Sequence, residues 1–155
     1  MPLSIEDEIR QTRPFTQPSA RALVSLLRTA SVLEHEENEL LRPYALTGTQ
    51  YNVLRILQGA GKRGLCGREV GERLIARVPD VPRLLDRMEE ADLISRERDT
   101  ADRRHVTTRI APKGRRRLAE TTPLLDRLAR ARFDRLAPAA LAQLVDALAV
   151  VRAPL

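Results

Sequence analysis

A chain of 155 residues, 43% of them hydrophobic, is long enough for one compact domain with helical extensions and a core of its own. Aromatic residues make up only 3% and tryptophan is absent, so that core must be built from Leu, Val, Ile and Ala. The net charge of +6 is unevenly placed: 16 basic and 10 acidic residues lie between Lys62 and Arg117, and the remainder holds 11 of each. A surplus confined to one segment excludes a histone-like polycation and a generic membrane-surface binder, and marks a local footprint for a polyanion.

Ser4 and Asp7 form a capping-box-like pair for a short helix to about Gln11. Pro14 and Pro18 end it, and Ser19 is expected to cap a long helix to about Leu41. Its apolar stripe is Leu23, Leu26, Leu27, Ala30, Leu33, Leu40 and Leu41, interrupted at Glu37. Pro43 breaks this helix. Thr47 and Gln50 make a second capping box, opening a helix to about Leu57 with Tyr51, Leu54 and Leu57 buried. Gly59, Gly61 and Gly64 read as a loop, and a third helix runs from about Gly67 to Leu74 with Val70 and Leu74 inward.

After the turn Ile75–Val78 comes PDVPRLLDRMEEA, from Pro79 to Ala91. Val81, Leu84, Leu85 and Met88 give it one apolar face, while Arg83 and Arg87 lie four apart on another. Either Pro79 occupies the first helical position, or Asp80 is the cap and Pro82 sits in the first turn. Asp92 stands where glycine is the usual helix stop, in a left-handed conformation that Asp tolerates at some cost. Two strand-like runs follow, Leu93–Arg98 and Arg104–Ile110, joined by a polar loop crowded with arginine. Pro112 opens a helix with Leu118, Leu125, Leu128, Phe133 and Leu136 on its apolar side. Ala137–Pro138 restarts the chain into a last amphipathic helix carrying Leu141, Leu144, Val145, Leu148 and Val151.

The predicted fold is mainly α with a small β-hairpin wing. It is a winged helix-turn-helix at 46–111 between dimerisation helices at 19–45 and 112–155, preceded by an arm at 1–18. A helix with an arginine face followed by an arginine-tipped hairpin suits double-stranded DNA, the helix in the major groove and the wing on backbone or minor groove. The apolar stripes at both chain ends suggest a homodimer; the alternative is that they fold back on their own subunit.

Arg83 is expected on a base edge or phosphate, Arg87 on phosphate, and Arg77 and Pro79 at the helix entrance. The alternative for Arg83 and Arg87 is surface pairing with Asp80, Asp86 or Glu90. Asp80 either accepts from a cytosine amine or only favours the helix N-terminus, the latter being favoured. Arg96, Arg98, Arg103 and Arg104 form the wing's DNA-facing set, and Arg115–Arg117 are either backbone contacts or solvated charges. Glu36–Glu37 and Glu89–Glu90 read as helix-surface charges. Arg28, His35 and Tyr51 are a candidate pocket for an aromatic acid, against the simpler reading of a surface His and a core Tyr.

The single cysteine, Cys66, allows no internal disulfide and no Cys-rich metal site. Arg63 and Arg68 nearby would lower its pKa if they approached, but an inert thiol is the simpler reading. The acidic N-terminus does not look like a signal peptide, and no apolar run approaches the ~20 residues that span a bilayer. A cytoplasmic location, no cofactor, no metal and no enzymatic activity are therefore expected. No Gly-rich phosphate loop, nucleophile elbow or paired carboxylates in a plausible cleft are found. A winged-helix module that binds protein, or a DNA binder that answers to no effector or only to oxidation, are the alternatives.

The segments Leu46-Thr47, Glu72-Arg73-Leu74, Arg83-Leu84-Leu85-Asp86-Arg87-Met88-Glu89, Asp102-Arg103-Arg104 and Ile110-Ala111-Pro112-Lys113-Gly114 resemble the MarR family of bacterial regulators. The resemblance covers roughly residues 19–151 in plan and is specific from about Leu46 to Gly114. It implies Arg104 as the minor-groove arginine and Asp102 as a brace for a neighbouring arginine. It also implies a homodimeric repressor on a pseudo-palindromic operator, released by a small aromatic or phenolic ligand. Asp92 for glycine, Ala111 for a capping threonine, and Pro79 and Pro82 for hydroxyl residues depart from the pattern, so no operator sequence carries over.

Overall fold

The computed structural model describes residues 3–98 and 106–154. Its elements are α1 (Ile5–Glu8), α2 (Pro18–Leu41), α3 (Gly48–Ala60), β1 (Leu65–Cys66), α4 (Gly67–Arg73), α5 (Val81–Glu90), β2 (Ile94–Arg98), β3 (Val106–Ile110), α6 (Pro112–Phe133) and α7 (Pro138–Arg152). No helix among the described residues is long and apolar enough to cross a membrane.

Local chemistry sets most of these boundaries. The Thr47 hydroxyl accepts from the Gln50 amide at 3.2 Å, and the Gln50 side chain accepts from the Thr47 amide at 3.0 Å. Two amides that α3 itself cannot satisfy are thereby bonded. At α4 the same reciprocal cap forms between Cys66 and Glu69, whose carboxylate accepts from the Cys66 amide at 2.9 Å. That backbone hydrogen bond holds the Glu69 carboxyl below the usual carboxylate range. Asp80 caps α5 by accepting from the Arg83 amide at 2.9 Å, which settles the open choice: Pro79 precedes the helix and Pro82 lies in its first turn.

Three expectations are corrected. The cap of α2 is Gln17, not Ser19, because Pro18 already has the backbone angle and the missing amide that suit a first helical position. α3 continues to Ala60 and takes Gly59 with it, since tertiary packing of its buried face outweighs the weak helix propensity of one glycine. A third strand, β1, joins the hairpin, giving an antiparallel sheet ordered β1-β3-β2. In it Leu65 lies opposite Thr108, and Ile94 opposite Ile110. A two-residue strand carries too little alternation to be read from sequence.

The core contains Leu41, Leu46, Tyr51, Val53, Leu54, Leu57, Leu65, Val70, Leu85, Met88, Leu93, Ile94, Ile110 and Leu118. Every member falls between residues 41 and 118. The winged unit therefore has its own core, and the outer parts of α2 and α6, with all of α7, lie outside it. Gly114 lies at the join, where an added Cβ would run into the Leu93 carbonyl. Only glycine lets the start of α6 come this close to the strand that begins the wing.

α5 ends in a paired backbone motif. The Leu93 amide donates to the Met88 carbonyl and the Asp92 amide to the Glu89 carbonyl, each at 2.9 Å, with Met88 and Leu93 both buried. This places Asp92 at φ 59, the left-handed conformation expected of it. The Lys113 ammonium donates to the Ala91 carbonyl at 2.7 Å, a cation at the negative end of the helix dipole. Asp92→Gly should stabilise the fold by roughly 0.5–1 kcal/mol, because it relieves the Cβ penalty and leaves the motif intact. Urea denaturation should show a higher midpoint with an unchanged slope.

Candidate nucleic-acid interface

α5 divides its side chains among three tasks. Leu85 and Met88 are buried in the core. Asp86 and Glu89 hold Arg96 of β2: the Arg96 guanidinium lies 2.5 Å from Asp86 and 2.7 Å from Glu89, and its amide donates to Glu89 at 3.1 Å. Arg83 and Arg87 are left on the exposed face, with no ion pair among the described residues. The pairing alternative to DNA contact thus has no support from Asp80, which caps the helix, or from Asp86, which Arg96 occupies.

Arg96 is the sequence candidate whose surroundings differ most from expectation. Its side chain is only 24% exposed. The Glu89 hydrogen bond, with Asp86 behind it, pushes its pKa further above the ordinary arginine value. Two carboxylates and a backbone contact make it a strap between α5 and the wing instead of a free cation. Glu89, read as a surface charge, is half of that strap. Arg77, Pro79 and Arg98 are exposed, as are Arg83 and Arg87. Asp102, Arg103 and Arg104 lie outside the described residues. Among the three arginines opening α6, Arg115 donates to the Ile110 carbonyl, Arg117 pairs with Glu120, and Arg116 is exposed.

The candidate effector residues are not brought together. Arg28 pairs with Glu8 of α1 at 3.5 Å. His35 lies on a shallow groove between α2 and α6. Tyr51 is buried, its hydroxyl 3.2 Å from Thr122 Oγ1, and it lines a separate cavity of about 410 Å³. Helical spacing explains the separation, because His35 faces a different side of α2 from Ala30, Leu33, Glu34 and Glu37. Those four residues form one wall of the cavity; Tyr51, Asn52 and Arg55 of α3 form another, and the turn Leu74–Ala76 closes it. The Asn52 side chain accepts from the Ile75 amide at 3.0 Å and so ties α3 to the turn that leads into α5.

Glu37 is a further correction. It is half-buried on the cavity wall instead of on a free helix surface. Burial, with repulsion from Glu34, raises its pKa above the usual 4.5. Its interruption of the α2 apolar stripe was the signal available in sequence; Asn52 gave none. At Cys66 the alternative of an electropositive setting gains no support, because Arg63 pairs with Glu69 at 2.6 Å and Arg68 with Glu72 at 3.5 Å.

Comparison with known proteins agrees with this architecture. The MarR family model matches residues 46–106. The chain is 30% identical over 96 residues to YsmB of Bacillus subtilis (strain 168), an uncharacterized HTH-type transcriptional regulator. The aligned stretch covers 62% of this chain and 64% of YsmB, so it spans somewhat under two thirds of that relative's length. AbsC, a MarR family transcriptional regulator from Streptomyces coelicolor, superposes with a TM-score of 0.77 at 26% identity, over 90% of this chain and 95% of AbsC. MepR of S. aureus, in its complex with DNA, shares the fold with a TM-score of 0.75 at 22% identity, over 82% of this chain and 93% of MepR. Residues 46–106 thus match the MarR family model, and the chain has the winged helix-turn-helix fold of MarR-family structures, with a three-stranded wing sheet.

Because the folded-state pKa of Glu37 is raised, the folded chain binds the proton more tightly than the unfolded chain. Stability from this group is therefore present in acid and falls as pH rises through the carboxylate range towards the folded pKa. Glu37→Gln should raise the melting temperature at pH 7, and the gain should vanish near pH 4. Paired thermal melts at the two pH values check this.

Proposed function

We propose that this chain is a cytoplasmic transcription regulator that binds a pseudo-palindromic operator in double-stranded DNA as a homodimer, most simply as a repressor. The carrying observation is the division of labour on α5: two of its three carboxylates, Asp86 and Glu89, are held by Arg96, while Arg83 and Arg87 remain exposed, as does Arg77 before the helix. In this reading Arg83 meets a base edge, Arg87 and Arg77 meet phosphates, and Arg98, Arg103 and Arg104 follow the backbone or minor groove. Pro79 and Asp80 shape the helix entrance, with Asp80 acting through its cap. Arg96 positions the wing and does not itself touch DNA. MepR has been captured on DNA with the same fold, which favours this reading over a protein-interaction module.

The dimer is supported by unspent apolar surface. α7 has no buried residue, and Val145, Val150 and Val151 on it are 57–76% exposed. On α2, Leu23 and Leu27 are 56% and 61% exposed. Apolar faces of this kind on both terminal helices suit the seam of a two-fold pair. A small aromatic effector would act from the cavity between α2 and α3, and it would shift DNA binding only through unequal affinity for the two states.

Binding to the DNA upstream of the chain's own gene, measured across a salt series, tests the reading. Wild type should bind with sequence preference and a steep salt slope. Arg83→Ala should cost about 1–3 kcal/mol and relax the preference. Arg104→Ala should weaken all sequences alike and reduce the slope by about 1. Arg96→Met should lower affinity even though it removes no DNA contact. Equal affinity in all four proteins would favour the protein-interaction reading.

A further inference from the structure

The cavity wall is poorly suited to an aromatic acid. Its lower part is apolar, formed by Leu33, Tyr51 and Leu74. Its charged groups on α2 are both carboxylates, Glu34 and Glu37, and neither forms an ion pair among the described residues. Glu37 is seated over Gly48, where an added Cβ would lie 3.1 Å from the Glu37 carboxyl carbon. The missing side chain at Gly48 makes room for this carboxylate at the cavity edge. Arg55, the one cation on the wall, is exposed to solvent. The cations expected to greet an anion are elsewhere: Arg28 is on Glu8, and His35 is on the α2–α6 groove.

A half-buried carboxylate beside a second carboxylate, with the wall's one cation, Arg55, exposed and paired with neither among the described residues, is an unfavourable arrangement in the empty protein. A ligand that brings a positive charge and N–H donors relieves it; one that brings another carboxylate worsens it. From this wall we infer that the cavity takes an aromatic molecule bearing a protonated amine, its cation towards Glu37 and its ring against Leu33, Tyr51 and Leu74. This rests on the reading of the chain as a ligand-controlled DNA binder and names the chemical class of the ligand. An occupant also meets the turn at Leu74–Ala76, which Asn52 ties to α3 through Ile75. That turn leads directly to the Asp80 cap of α5, so filling the cavity bears on how Arg77 and Arg83 are presented.

Three probes that share one ring system and differ in charge separate the possibilities: 2-naphthylmethylammonium, 2-naphthol and 2-naphthoate. Each is titrated calorimetrically into the full chain at pH 7, and DNA affinity is read in parallel by fluorescence anisotropy. The ammonium should bind at least roughly ten-fold more tightly than the naphthoate and should weaken DNA binding. In Glu37→Gln that preference should collapse to within about two-fold while the naphthol affinity holds, with circular dichroism confirming the fold. Glu34→Gln should narrow it less. Naphthoate or naphthol binding as tightly as the ammonium and releasing DNA would overturn the ligand class and leave ligand control standing. The ammonium binding best with DNA affinity unmoved would uphold the class and overturn ligand control. Binding of none of the three, or a preference undiminished in both variants, would overturn the assignment of this cavity.

Discussion

The bond between Arg96 and the two carboxylates of α5 sets how this fold can be used. A helix on a protein surface and a hairpin beside it have no inherent reason to hold a fixed angle. Here Asp86 and Glu89 point from the same face of α5 to one guanidinium on β2, and the β2 backbone adds a further contact to Glu89. A salt bridge on open surface contributes little, but a partly shielded guanidinium shared by two carboxylates also fixes geometry. One guanidinium offsets part of the charge of Asp86 and Glu89 on the helix that carries Arg83 and Arg87, while Glu90 stays exposed. One interaction thus ties the wing to the helix and lessens the charge that would repel a phosphate backbone.

Around that strap the chain is built in two tiers. The inner tier has a closed core between Leu41 and Leu118 and is bounded by caps that satisfy its helix ends. The outer tier, the terminal helices, has apolar faces that this chain alone does not cover. The cavity beneath α2 lies where the tiers meet, in contact with a terminal helix on one side and with the turn before α5 on the other. In the proposed function that is the position from which a small molecule alters the spacing of two DNA-reading helices. At Gly114 the start of α6 packs closely against Leu93, Leu54 and Ile110, so the outer tier joins the inner one at a tight contact.

Much of this was legible in the sequence because it is written in short-range chemistry. Thr47 and Gln50 cap α3 by direct local bonds, Asp92 takes the left-handed stop, and Pro112 opens α6, all within a few residues of their partners. The periodicity of Leu85 and Met88 identified the buried side of α5. Apart from helix ends displaced by one to three residues, at Pro18 and at Ala60, the failures are long-range. Arg96 reads as one more wing arginine until Asp86 and Glu89 are seen ten and seven residues away in sequence but adjacent in space. Arg28, His35 and Tyr51 seemed compatible with one pocket, yet Arg28 and His35 lie two turns apart on a side of α2 that faces away from the cavity Tyr51 lines. Glu37 was visible as a break in a stripe, but what the break faces depends on Gly48 and on a turn forty residues downstream. β1 exists only because β3 offers it a partner.

The central claim is that two copies of α5, related by a two-fold axis, read one duplex. Selection of binding sites from a random double-stranded DNA library, followed by footprinting of the enriched sequence, tests it most directly. The account predicts an inverted repeat whose half-sites are centred about 10–10.5 base pairs, or ~34–36 Å, apart, protected on one face of the duplex. Enrichment of a single asymmetric site, or no enrichment above the starting library, would contradict it.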